Sequence, residues 1–132
     1  MSELGAQRHH ARERALEILY ESRIKERPVA EVLGQLALRP DAYTVALVTS
    51  AERNRTRAEE LISRHAQGWA LDRLAVIDRL VMTMAIGELL LDDPPPVAVV
   101  LDEAVELAKV YSTEGSGSFV NGVLVSCVRD LT

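Results

Sequence analysis

Residues 92–96 read DDPPP, and three consecutive prolines cannot continue a helix. Both flanks of that break carry helical periodicity. On the N-terminal side, residues 76–91 set Ile77, Leu80, Val81, Met84, Ala85 and Leu89 at spacings of three and four. On the other side, VAVVLDEAVELAKVY (97–111) puts Asp102, Glu106 and Lys109 on one exposed stripe and leaves a broad apolar remainder. A run this apolar predicts packing on more than one side. The corner therefore separates two helices that belong to a buried core.

The rest of the chain follows the same period. Ala11, Ala15, Ile18 and Leu19 predict a first helix over 11–24, and Pro28 starts a second over about 29–38. RPDAY (39–43) breaks the pattern, and Asp41 is placed to cap a long third helix reaching about His65. Within it, Arg53, Arg55 and Arg57 form a second basic cluster, read as solvated helix surface because Glu52, Glu59 and Glu60 stand beside it. Gly68 closes that half, Asp72 caps a short helix, and STEGSGS (112–118) is a loop from which Ser116 caps a final helix ending near Asp130. No period-two alternation is present, and the single Asn-Gly pair, Asn121-Gly122, lies inside a helical pattern. The prediction is an all-α bundle of about seven helices. It forms one domain over 1–132, with helical halves at about 8–67 and 68–132 and a basic segment at 7–14.

Composition agrees. Aromatic residues make up 4% of the chain, which favours helices over a sandwich or barrel. Cys127 is the only cysteine, so neither an internal disulfide nor a multi-cysteine zinc site can form. The polar N-terminus and the lack of a long apolar run lead to the expectation of a cytoplasmic protein without a membrane span.

The chemistry of catalysis is missing. His9, His10 and His65 lack partners at metal-ligand spacing, and Asp92 and Asp93 beside the prolines read as turn residues. There is no phosphate loop, dinucleotide fingerprint or nucleophile elbow, so no cofactor is expected and an enzyme is disfavoured. Two features ask for more than structure. The net charge is −5, yet QRHHARER (7–14) opposes Arg8, Arg12 and Arg14 with Glu13 alone. Guanidinium groups suit phosphates through paired charge-assisted hydrogen bonds, and arginine-rich segments can order on RNA. In SFVNGVL (118–124), Gly122 is costly inside a helix. Either another helix packs closely there or a partner approaches.

HARERALEILY (10–20), GWALDRLAVIDRLVMTMAIGEL (68–89) and VVLDEAVELAKVYSTEGSGSFVNGVL (99–124) together resemble the NusB family of bacterial transcription antitermination factors. The resemblance implies a non-catalytic helical protein that pairs with the ribosomal protein NusE. The pair binds boxA-type RNA in ribosomal RNA leaders and joins the RNA polymerase antitermination complex. It implies RNA contacts from Arg8, His9, His10 and Arg12, with Arg14 as an added charge and Tyr20 as a ring able to stack on a base. It implies a partner surface at Glu88 and along the last helix, including Phe119, Asn121 and Val125.

The chain departs from the family pattern at four places. His9 and His10 stand where arginines are found, so RNA affinity is expected to be lower or to rise on acidification. Thr83 replaces a common arginine, and Val125 replaces an aspartate. Family members include monomers and dimers, so a homodimer is possible. Two rivals remain: the NusB-like domain of a ribosomal RNA methyltransferase, and a helical adaptor without an RNA role. The adaptor predicts that Arg8→Ala with Arg12→Ala leaves every interaction intact.

Overall fold

A computed structural model describes residues 2–132. Seven α-helices follow one another: α1 (Glu3–Lys25), α2 (Val29–Gly34), α3 (Ala42–Arg53), α4 (Arg55–His65), α5 (Val76–Leu89), α6 (Val97–Tyr111) and α7 (Ser116–Leu131). A 3-10 turn at Leu71–Arg73 precedes α5, and no strand occurs among the described residues.

Helix α1 starts at Glu3 rather than near Ala11, because Ser2 Oγ accepts the Gly5 N–H at 2.9 Å and caps the first turn. Its far end closes at Glu26, a non-glycine residue at φ 52°, while the Arg27 N–H reaches the Ser22 carbonyl at 3.0 Å. Pro28 then starts α2 as expected, but that helix ends at Gly34 rather than near Leu38. The expected N-cap at Asp41 forms, with its Oδ1 accepting the Thr44 N–H at 2.7 Å.

The single long helix expected after Asp41 is two helices. Asn54 turns its side chain back to the Ser50 carbonyl at 2.9 Å, and α4 begins on the next residue. A side-chain amide competing for a backbone carbonyl is a known way to interrupt a helical ladder. At the other end of the chain, Ser116 is the first residue of α7 rather than its cap. Its hydroxyl donates to Asp78 Oδ2 at 3.0 Å and ties the loop to α5.

Helix α5 is the axis of the bundle. It packs against α1, α3, α4, α6 and α7, and every residue from Leu80 to Glu88 is buried. A helix buried on all sides must be apolar all round, which explains LVMTMAI (80–86). One close approach in the bundle depends on a missing side chain. A Cβ on Gly87 would lie 2.9 Å from the Ala51 backbone nitrogen, so α3 and α5 touch there only because Gly87 has none. Close packing was one of the two readings of Gly122, but a Cβ there meets nothing within 4 Å. The buried side chains of all seven helices form one continuous cluster.

Candidate nucleic-acid interface

The basic segment of α1 divides by helix face. Helical spacing turns Ala11, Arg12, Ala15 and Leu16 toward the core, while His10 and Arg14 stay exposed and Arg8 and His9 are half-buried. Arg12 is thus carried inward, with 2% of its surface exposed. Its Nε donates to Glu88 Oε1 at 2.9 Å, and one terminal nitrogen donates to Glu88 Oε2 at 2.7 Å. The other terminal nitrogen donates to Glu103 Oε1 at 2.7 Å. This is the paired geometry that makes arginine–carboxylate interactions strong.

The network continues outward. The Tyr43 hydroxyl, from the first turn of α3, donates to Glu88 Oε2 at 2.5 Å. The Arg8 guanidinium lies 4.9 Å from the centroid of the Tyr43 ring, a cation–π distance. His9 Nδ1 is 3.2 Å from Glu103 Oε2, and His10 Nδ1 is 3.2 Å from Glu13 Oε1. Burial works against the charged form of Arg12, but the Glu88 hydrogen bonds and the charges of Glu88 and Glu103 raise its pKa above the ordinary arginine value. Burial first, and then the hydrogen bond to Glu88, hold the Tyr43 hydroxyl well above the usual tyrosine range. Arg12 stays charged and Tyr43 stays protonated, so the N-terminal half of α1 is pinned to α3, α5 and α6 at once.

The NusB family model matches residues 9–129. The chain is 44% identical over 128 residues to a transcription antitermination protein NusB from Saccharopolyspora erythraea, covering 92% of this chain and 85% of the relative. This chain belongs to the NusB family. Its fold resembles that of T. maritima NusB with a TM-score of 0.82 at 30% identity, over 93% of this chain and 91% of that one. It also resembles a structure of the antitermination factors NusB and NusE in complex with dsRNA. There the TM-score is 0.78 at 25% identity, over 95% of this chain and 98% of that one.

The structure sorts the residues that the NusB resemblance singled out. Arg8, His9, His10 and Arg14 lie at or near the surface of α1, and Arg14 pairs loosely with Glu17 at 3.0 Å. Arg12 is not among them: each of its three nitrogens donates to Glu88 or Glu103, and its side chain is buried. Glu88 is likewise interior, at 1% exposure, and its basic partner is Arg12 of the same chain. Tyr20 is exposed but lies about 18 Å along the helix axis from Arg8. It borders a 590 Å³ groove shared with Ile24, Tyr111 and the carboxylates of Glu13, Glu17 and Glu21. Lys25 lines the same groove and pairs with Glu21 at 3.4 Å, while Glu17 pairs with Arg14.

The expected partner residues also divide. Asn121 and Val125 are exposed and share one side of α7, whereas Phe119 is half-buried in a 300 Å³ cavity with Trp69 and Asp78. Sequence reasoning missed Tyr43 and Glu103. Glu103 stands in the 99–124 block that carries the resemblance, but its role, like that of Tyr43, depends on meeting Arg12 or Arg8 across sequence separations of tens of residues.

Proposed function

We propose that this chain is a transcription antitermination factor that binds boxA-type RNA of ribosomal RNA leaders together with NusE. It thereby supports processive transcription of ribosomal RNA within the RNA polymerase antitermination complex. The observation that carries the reading is the end-to-end likeness to a NusB solved with NusE and dsRNA, together with the family match over residues 9–129. In this reading the protein is a binding factor, not an enzyme, and works in the cytoplasm.

The geometry of α1 supports a division of labour. Arg8 and Arg14 carry charge at or near the surface and His10 presents an exposed ring, where an RNA phosphate can take their hydrogen bonds. Arg12 positions them: held by Glu88 and Glu103, it fixes the rotation and tilt of the helix that carries the outer cations. The cation–π interaction restrains the Arg8 side chain before RNA arrives, which lowers the entropy cost of binding. His9, close to Glu103, is a bridge between the two sets.

Titration of a boxA-type RNA and a scrambled control, with and without NusE and across salt, tests this. The expected result is a preference for boxA that NusE tightens and salt weakens. Arg8→Ala, His10→Ala and Arg14→Ala together should weaken binding and flatten the salt slope by roughly 0.7 for each phosphate no longer neutralised. Arg12 is left intact in that variant, because its loss would confound binding with stability. Equal, weak binding to both RNAs in the presence of NusE would leave the helical adaptor as the better account.

A further inference from the structure

The far end of α1 holds a second cluster of arginines, made of residues the RNA reading does not use. Arg23 of α1, Arg55 at the start of α4 and Arg79 of α5 converge on one carboxylate oxygen, Glu59 Oε1. The distances are 3.7, 2.8 and 3.6 Å, so only Arg55 makes a hydrogen bond to it. One carboxylate is shared among three guanidinium groups. The Arg23 guanidinium makes no hydrogen bond among the described residues, and the Arg79 Nε is buried without a partner.

Beside this cluster opens a cavity of about 440 Å³, within the size range of small-molecule sites. Arg23 and Arg55 line it, and Leu19, Ala51 and Leu80 give it an apolar floor. Thr83 lines the same space with a short side chain whose hydroxyl is occupied by the Arg79 carbonyl at 2.8 Å. Arg27, paired with Glu31 at 3.1 Å, and the exposed Glu26 and Glu52 also border it, but among the described residues neither of those two acids comes within ion-pairing distance of Arg23 or Arg55.

We infer that this cleft binds a compact phosphorylated small molecule, with the phosphate held between Arg23 and Arg55 and an apolar body on Leu19, Ala51 and Leu80. Guanidinium forks match phosphate oxygens in geometry as well as charge, and these two have donors that Glu59 does not satisfy. Burial, and then the charges of Arg55 and Arg79, hold Arg23 below its ordinary pKa, as expected where cations crowd without enough anions. A phosphate would relieve that crowding. The bordering acids decide the kind of ligand: a polyanionic strand crossing the cleft would meet Glu26 and Glu52, whereas a molecule with one phosphate can bury it and keep its neutral part near them.

The experiment is an amide NMR titration of the whole chain with inorganic phosphate, adenosine 5′-monophosphate and adenosine. Saturable shifts at Arg23, Ala51, Arg55 and Leu80 with phosphate and the monophosphate, tighter for the monophosphate and absent for adenosine, are expected. Arg23→Gln or Arg55→Gln should weaken monophosphate affinity about tenfold or more, the loss of a charge-assisted hydrogen bond. Glu59→Gln, which removes the competing negative charge, should tighten it. The wild-type shifts localise the site even if a variant fails to fold. Shifts elsewhere, or none that saturate, overturn the inference. So does a boxA-type RNA that shifts these same amides and displaces the monophosphate, since the cleft would then serve RNA. Arg55→Gln is expected to leave RNA and NusE binding unchanged, so this inference and the antitermination reading can fail separately.

Discussion

Arg12 and Arg23 lie on the same face of α1, about three turns apart, and enter opposite electrostatic surroundings. The two helices α1 and α5 run in opposite directions here, so the N-terminal half of α1 meets Glu88 while its C-terminal end stands near Arg79. At the first site one buried arginine faces two carboxylates, with a phenol completing the hydrogen bonds. At the second, three arginines share one carboxylate. The same residue type is therefore a structural pin at one end and an incompletely matched charge at the other. What an arginine does here is set by the ratio of cations to carboxylates around it, not by its place on the helix.

Removing the pin should give the largest effect. Arg12→Ala strips Glu88 of its counter-charge while leaving the carboxylate buried, which costs about 3–5 kcal/mol when one partner of a buried pair is lost. Urea unfolding measures it, and a loss below about 1 kcal/mol would show that Glu88 is rehydrated instead. Glu59→Gln is the matching test at the other end. It deletes the one negative charge that three cations share, in a site still partly open to water, so a loss of roughly 1–2 kcal/mol is expected. That loss should depend on acid. Burial opposes ionisation of Glu59, but Arg55, Arg79 and Arg23 outweigh it and hold its carboxyl below the usual range. Its stabilisation is therefore present above the unfolded value of about 4.3 and is lost as pH falls through the lower folded value. Chemical denaturation between neutral and acid pH should show a gap between wild type and Glu59→Gln that closes on acidification.

These differences explain what the sequence disclosed. Helix α6 was legible to the residue because DDPPP fixes its start and STEGSGS its end. The Asp41 cap was legible because a capping carboxylate acts within its own turn. The division at Asn54 was not, since either side-chain rotamer of an asparagine is compatible with the local sequence and only the bond to the Ser50 carbonyl settles it. The basic head was legible as a charge pattern, but the inward turn of Arg12 was not, because its partners lie 76 and 91 residues away on α5 and α6. Arg55 likewise read as a solvated surface charge beside Glu59. Its pairing with that residue is local, whereas the arrival of Arg23 and Arg79 is tertiary.

The pinned end should respond to base rather than acid. Tyr43 is held protonated by burial and by its bond to Glu88, so its folded pKa lies above the unfolded value of about 10. A raised folded pKa gives stability that is complete below the unfolded value and is lost as pH rises toward the folded one. Wild type should lose stability above about pH 10 more steeply than Tyr43→Phe, in which that group cannot ionise. Parallel curves for the two proteins would mean that the hydroxyl is solvated when ionised and that the Glu88 bond does not bind α3 to the network.

The smallest effect is expected at Arg23, where it is also the most telling. Arg23→Met keeps an unbranched apolar stem while removing a cation that Arg55 and Arg79 repel and Glu59 reaches only at 3.7 Å. The forfeited attraction and the relieved repulsion offset one another, so stability should change by less than about 0.5 kcal/mol, or rise slightly. The same substitution at Arg12 should cost several kcal/mol, because there the carboxylates left behind have no second cation within the core. A large loss at Arg23 would place it with Arg12 as a structural residue and leave no unspent charge at that end of α1. A neutral result, joined to abolished phosphate binding, would mean that the arginine is retained for a ligand and not for the fold.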